Sequence, residues 1–372
     1  MPTGSRARNL VRRAAAGGAL NLLPGTGLLA SQGAPTYLAR EARRLASRVG
    51  ERPATQGGQH SMPRSPSVKR RMLLGSLGVA GAVAALLRPS VGATRHGPLL
   101  TRPIPSSGEA VPIVGLGSWI TFNVGDDPAA RDACAEVMRA FFEAGGRLID
   151  SSPMYGSSQA VIGHGIGKLG EPPGLFSADK VWTSSGARGP AQIEASRRHW
   201  GVPRFDLLQV HNLLSWEEHL RTLFAMKAAG QVRYVGITTS EGRRHREFER
   251  IMRGQPLDFV QLTYNILDRE AEDRLLPLAR DRSVGVIVNR PFRQGALLTQ
   301  VERNPLPAWA GEIGCASWAQ FLLKFAVSHP AVTCAIPATT RVEHVRENMR
   351  AAHAPLPDEA VRRRMVAYVE KL

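Results

Sequence analysis

From Val111 to the end of the chain, short apolar runs alternate with longer stretches whose apolar residues return at helical spacing. The runs are Val111 to Ile120, Arg147 to Ser151, Leu175 to Trp182, Asp206 to Val210, Arg233 to Thr238, Asp258 to Tyr264, Val284 to Asn289 and Ala331 to Pro337. Helical patterns lie between them, among them Arg131 to Glu143, Glu217 to Ala229, Ala271 to Arg280, Trp318 to Val327 and Val342 to Ala351. Strand followed by helix about eight times over predicts an α/β fold, a (β/α)8 TIM barrel occupying residues 94–372. A doubly wound open sheet fits less well, because no strand leads into G-x-G-x-x-G. Gly115-Leu116-Gly117 lacks the third glycine, and Gly165 to Gly170 follows a helical stretch.

The chain ahead of the barrel reads differently. Residues 1–61 are rich in Arg, Ala and Gly without a sustained amphipathic face, and are expected to be a disordered extension. Residues 62–93 are laid out as a secretory signal: the basic Lys69-Arg70-Arg71, an uncharged apolar run from Met72 to Leu87, and the small residues Val91-Gly92-Ala93. The arginine pair with Leu73 behind it resembles a twin-arginine export signal, although Lys69 stands where Ser or Thr is usual and Leu73 where Phe is frequent. That resemblance implies the twin-arginine export machinery as a partner, cleavage near Ala93 and a periplasmic or otherwise exported protein; unused, the signal would leave the protein cytoplasmic. Met62 offers a start that would put the signal first, making residues 1–61 an over-extended reading frame.

Charge and composition trim the alternatives. The net charge of +17 is concentrated in front: residues 1–93 hold 14 Lys plus Arg against Glu41 and Glu51, while the remainder holds 34 against 29. The barrel is thus only mildly basic, and without aromatic interleaving or a recognition motif no nucleic-acid partner is expected. The Met72–Leu87 run falls short of the roughly 20 residues of a spanning helix, so no stable membrane span is expected. Cys134, Cys315 and Cys334 form no C-x-x-C pair and read as buried free thiols, not a disulfide framework or a metal site. With no phosphate loop, H-E-x-x-H or G-x-S-x-G, metal-assisted hydrolysis and serine esterase chemistry are set aside. Trp216, Met226 and Trp318 read as core or pocket wall, and the Arg-rich stretch 361–372 as a solvated face.

In such a barrel the chemistry sits at the carboxyl ends of the strands, which directs attention to polar residues that terminate apolar runs. Asp150 ends Arg147-Leu148-Ile149 and precedes Tyr155 by five residues; Lys180 ends the third run; His211 follows Leu207-Leu208-Gln209-Val210. Together they make a proton-donating set. The Tyr155 phenol is the acid, Lys180 is expected to lower its pKa from about 10 toward the working range, Asp150 holds the lysine charged, and His211 hydrogen-bonds the reacting oxygen. Asp179, beside Lys180, is a second carboxylate that could compete for the ammonium.

These residues resemble the aldo-keto reductases. The family pattern G-x-x-x-x-D-x-x-x-x-Y-G is matched by Gly145, Asp150 and Tyr155-Gly156, its strand ending in Thr-Lys by Asp179-Lys180, and its strand ending in His by Gln209-Val210-His211. The resemblance runs from about Val111 to Met349 and implies a nicotinamide cofactor with Asp150, Tyr155, Lys180 and His211 as the catalytic tetrad. It places Thr238, Thr239 and Gln261 at the carboxamide, with Gly117 and Trp119 also on the cofactor side. Asn289-Arg290-Pro291-Phe292 stands where many relatives have Tyr-Ser-Pro-Leu, so an aromatic expected to stack on the nicotinamide is missing. Pro337, Thr339, Arg341, His344, Glu347 and Asn348 fall around the adenosine phosphate, with Arg341 and His344 as candidates for a 2′-phosphate and NADPH as the implied cofactor. The expected activity is hydride transfer from NADPH to a small-molecule aldehyde or ketone, with Tyr155 as general acid. The alternative is a sensor or scaffold barrel that binds cofactor with negligible turnover.

Overall fold

The structure, a computed structural model, describes residues 98–170 and 172–372. The extension, the signal-like segment and the first residues of the barrel region lie outside the described residues. An antiparallel hairpin of β1 (Thr101–Pro103) and β2 (Ala110–Pro112) precedes eight parallel strands: β3 (Leu116–Gly117), β4 (Leu148–Asp150), β5 (Phe176–Val181), β6 (Phe205–Val210), β7 (Val232–Thr238), β8 (Phe259–Thr263), β9 (Gly285–Asn289) and β10 (Cys334–Ala335). They pair in sequential order, and the sheet closes on itself where Val114 bridges Ala335 and Gly117 bridges Ala338. Gly117 matters at this seam: a Cβ there would stand 2.7 Å from the Ile336 carbonyl oxygen. The result is the expected (β/α)8 barrel.

The helices are α1 (Pro128–Glu143), α2 (Ser158–Leu169), α3 (Gly189–Trp200), α4 (Trp216–Ala228), α5 (His245–Gly254), α6 (Leu275–Asp281), α7 (Ala296–Val301), α8 (Trp318–Ser328), α9 (Val342–Arg350) and α10 (Glu359–Val369). Local chemistry sets several ends. Asp127 caps α1 by accepting from the Ala129 and Ala130 amides, with Pro128 at the first helical position, and Gly170 and Gly201 end α2 and α3 in the left-handed conformation. The glycines from Gly165 to Gly170 thus lie within and at the end of α2, not in a phosphate loop. None of the helices among the described residues is long and apolar enough to cross a membrane.

Strand alternation divides the side chains into two sets. Leu148, Phe176, Ala178, Leu207, Tyr234, Phe259, Ile287, Cys334 and Ile336 fill the barrel's interior together with Ile104 and Val111 of the hairpin region. Their neighbours Ile149, Val181, Leu208, Val235, Val260 and Val288 face outward into the sheet–helix core. The hairpin therefore plugs the amino-terminal end of the barrel. Glu109 secures it there, paired with Arg147 (3.1 Å) and Arg233 and accepting from the Tyr234 hydroxyl (3.0 Å). The run Val111 to Ile120 is consequently not one strand: its start belongs to the plug, and the barrel takes it up only from the Val114 bridge to Leu116–Gly117. The three cysteines are buried free thiols.

Two charged residues break the expectation of exposure. Arg362 of α10 is buried, donating to Tyr264 and, at 2.8 Å, to Glu272, so the Arg-rich tail is only in part a solvated face. Lys324 of α8 is buried as well, its ammonium donating to the carbonyls of Ile313, His353 and Pro355. Trp318 is core, while Trp216 and Met226 pack on it half-buried.

Candidate active site

At the carboxyl ends of the strands the inward positions turn polar. Asp150, Lys180, Gln209, His211, Thr238, Gln261, Thr263 and Asn289 each continue, by steps of two, the inward file that is apolar lower in the barrel. The four proposed catalytic residues are brought together here. Lys180, fully buried, donates to Asp150 Oδ2 at 2.6 Å and to the Ser151 carbonyl at 2.7 Å. Asp150 Oδ1 accepts from Gln261 (2.8 Å) and more weakly from Gln209 (3.5 Å). Burial opposes the charge on Lys180 most strongly of any one cause, but Asp150, by charge and hydrogen bond, together with Tyr155 and Asp179 outweighs it and holds the ammonium above its ordinary pKa.

Tyr155 sits on the loop after β4, with the Lys180 ammonium 5.0 Å from its ring centroid. Its ring lies 4.8 Å from Trp119 and meets His211 edge-on at 5.6 Å. Gly156 fixes the loop: it has φ +61°, and a Cβ would collide with Asn123 Oδ1, which accepts from the Ser157 amide at 3.0 Å. The expectation that Lys180 brings the phenol down is not met. Burial outweighs the ammonium, and Asp150 works against it too, so the phenol is pushed up to about 12 and remains a proton donor at neutral pH.

His211 is buried, and burial together with Lys180 drives its pKa well below the ordinary value, leaving a neutral imidazole. Its Nδ1 lies 2.8 Å from Ser152 Oγ, which already accepts from the Met154 amide at 3.2 Å. The serine hydroxyl is able to donate to Nδ1, and in that arrangement the ring proton sits on Nε2 as a donor. Ser152 was not among the sequence candidates, and its place in Asp150-Ser151-Ser152 is too ordinary a signal to have singled it out.

Asp179 does not compete for Lys180. Phe176, Ala178 and Lys180 point inward, so Asp179 points outward, where its carboxylate accepts from Gln159 of α2 (2.8 Å) and from the Lys180 backbone amide (2.6 Å). Gln159 also donates to Ser196 of α3 at 2.9 Å. Burial pushes the Asp179 carboxyl up to about 7, these hydrogen bonds only partly offsetting it.

The residues expected around a cofactor form an arc over the mouth. Thr238 Oγ accepts from the Asn212 amide at 3.0 Å, and the Thr239 hydroxyl donates to the Arg243 carbonyl. Asn289 ties three strand ends together, donating to the Thr239 carbonyl (2.9 Å) and accepting from Thr263 (2.7 Å). Arg290 pairs with Glu241, whereas Pro291 and Phe292 are buried, Phe292 in the hydrophobic core. Beyond β10, Pro337 and Thr339 are buried; Thr339 Oγ accepts from the Arg341 amide (3.1 Å) and contacts His344 Nδ1 (3.2 Å). Arg341 is exposed and 3.6 Å from Glu343; Glu347 is half-buried and Asn348 buried. No group of three or more metal-ligating side chains occurs among the described residues.

Comparison with known proteins gives the family. The model of the aldo/keto reductase family matches residues 113–365. The chain belongs to that family. A methylglyoxal reductase of Escherichia coli, YeaE, is 28% identical over 244 residues, covering 64% of this chain and 84% of its own. An NADH-specific methylglyoxal reductase of the same organism is 28% identical over 233 residues, covering 53% and 68%. Among solved structures, an aldo/keto reductase from Klebsiella pneumoniae in complex with NADP and acetate superposes with a TM-score of 0.57 at 25% identity, covering 71% of this chain and 92% of that one.

Proposed function

We propose that this aldo/keto reductase family member reduces an aldehyde or ketone with NADPH, Tyr155 delivering the proton. The observation that carries the reading is the buried Asp150–Lys180 pair beneath Tyr155, beside a neutral His211. The described residues fit a nicotinamide dinucleotide. Gln261 spends its amide N–H on Asp150, which leaves its side-chain carbonyl beside Thr238 able to accept from a carboxamide. At the far end of the arc α9 begins without a cap from its N-cap side chain, with Arg341 and His344 alongside; the Glu343 carboxylate takes its own amide there and faces Arg341, and would have to yield to a phosphate. NADP is bound in the Klebsiella structure, and one relative is NADH-specific; the preference for NADPH rests on the Arg341 guanidinium, with His344 beside it.

When bound, the cofactor supplies hydride to the carbonyl carbon. The protein's part is the oxygen. His211 Nε2 and the Tyr155 hydroxyl converge as two donors that polarise the carbonyl, and the phenol gives up its proton as negative charge develops. A phenol this reluctant to ionise needs help at that moment, and the Lys180 ammonium under the ring stabilises the emerging phenolate. Trp119 shields one side of the tyrosine from water. Tyr155→Phe tests the assignment: NADPH binding, followed by fluorescence, should persist while turnover falls by roughly 10²- to 10⁴-fold. Comparable turnover would overturn it.

We further propose that residues 62–93 direct export of the folded barrel by the twin-arginine route with cofactor already bound. Arg70→Lys with Arg71→Lys should retain the protein inside the cell with its cytoplasmic activity intact. Undiminished export would show that the arginine pair is not read.

A further inference from the structure

A cavity of about 700 Å³ opens at the barrel mouth, lined by loop residues that lie within four positions of Tyr155, Lys180 and His211 in sequence and by the start of α3. Pro153 precedes Tyr155 by two residues, Trp182 and Thr183 follow Lys180, and Leu214 follows His211; the opposite wall is Arg188 with the first turn of α3, Ala191 and Gln192. The apolar part of this wall is unusually open to solvent. Trp182 is 40% exposed; outside the cavity lining, Ile120 on the loop after β3 (54%) and Leu372 at the chain end are the other large hydrophobic residues so exposed among the described residues. Ile120 also holds a left-handed backbone, φ 66°, a costly conformation for a β-branched residue. Gln192 holds Trp182 in place, its amide accepting from the Trp182 N–H (2.7 Å) and donating to the Trp182 carbonyl (2.9 Å).

Against this apolar surface stands one charge. Among the described residues Arg188 is the only ionisable side chain lining the cavity, and its guanidinium makes no hydrogen bond or ion pair with them. The nearby carboxylate Glu218 is already engaged, accepting from the Gly186 amide at 2.7 Å. Some exposed arginines of the barrel have a carboxylate partner, as Arg244 has Glu247 and Arg363 has Glu359, whereas Arg188, like Arg221 and Arg246, has none among the described residues. A flat apolar wall beside the tetrad and a lone guanidinium across the cavity match a substrate that is apolar in its middle and singly anionic at the end away from its carbonyl.

Resting on the reductase reading above, we propose that Arg188 is a specificity residue that selects carbonyl substrates bearing a carboxylate beyond an aromatic or similarly flat apolar spacer. A single guanidinium suits a monoanion, whereas a phosphate ester would leave charge uncompensated. Trp182 and Leu214 would pack the spacer, and Thr183 and Ser184 would supply hydroxyls beside the carboxylate.

The test compares 4-carboxybenzaldehyde with its neutral methyl ester, 4-(methoxycarbonyl)benzaldehyde, on the full chain with NADPH. The wild type should favour the acid in kcat/KM by about three- to tenfold, the range between an exposed ion pair and a charge-assisted contact, with the difference in KM. Raising the salt concentration should shrink it. Arg188→Gln should bring the ratio to about one, and Arg188→Lys should restore part of it. Equal kcat/KM for the two aldehydes in the wild type, or a ratio unmoved by Arg188→Gln, overturns the role of Arg188 while leaving the reductase reading in place. Reduction of neither aldehyde, nor of a wider panel, overturns both.

Discussion

Asp179→Asn should make the barrel more stable, and increasingly so as the pH rises. In the fold the carboxyl is held at about 7 against an ordinary 3.8. Between those values the folded chain binds a proton that the unfolded chain has released, so stability falls with rising pH through this window and levels off above it. The full cost is on the order of 4 kcal/mol at alkaline pH, of which less than half is felt near pH 5. Asparagine removes the titration without removing the contacts. Its Oδ1 can keep the Lys180 amide, and Gln159 can reverse its own amide so that Oε1 accepts from the new side-chain NH₂ and from the Ser196 hydroxyl. The stability gap between variant and wild type should therefore widen by roughly 2 to 3 kcal/mol between pH 5 and pH 8.5, or about 5 to 10 °C in melting temperature for a domain of this size. Thermal melts followed by circular dichroism at the two pH values read this directly. A gap that stays constant with pH would refute the picture of a buried, hydrogen-bonded carboxylate behind the sheet.

Ser152→Ala should lower kcat by roughly three- to tenfold, the value of one hydrogen bond, because His211 Nδ1 then loses the donor that keeps the proton on Nε2; steady-state rates with unchanged NADPH affinity would bear this out, and an unchanged kcat would not. Arg341→Ala should weaken NADPH by about three- to tenfold more than NADH in fluorescence titrations, a modest effect because the side chain is solvent-exposed and already faces Glu343. Equal losses would place Arg341 away from the 2′-phosphate.

The barrel was legible because parallel strands buried on both faces read as apolar runs, and each of the eight runs overlaps a barrel strand. Where the reading failed, the missing information was either overlooked periodicity or distant chain. Asp179 belongs to the first kind: with Phe176 and Ala178 already facing inward, a period of two sends Lys180 in and Asp179 out. The run from Val111 to Ile120 belongs there too, since Pro112 and Gly115 divide it between plug and barrel. Arg362 belongs to the second kind. Its partners Tyr264 and Glu272 lie 98 and 90 residues away in sequence, and nothing in the local pattern of α10 distinguishes it from Arg363 and Arg364. The tetrad positions were visible as strand-ending polar residues, but the burial that raises Tyr155 and the hydroxyl that orients His211 are properties of packing in three dimensions.

The hairpin that plugs the amino-terminal pole has a practical consequence for anyone who wishes to fix this protein to a bead, an electrode or a reactor wall. The described chain enters the fold at that pole, where Leu100 and the hairpin are bonded into the barrel, while the polar mouth opens at the other. A tether attached just ahead of Pro98 would hold the molecule by its sealed end, leaving the reacting face turned toward the bulk solution. A tether on the loops carrying Ile120 or Trp182 would do the opposite, and would press the mouth against the support.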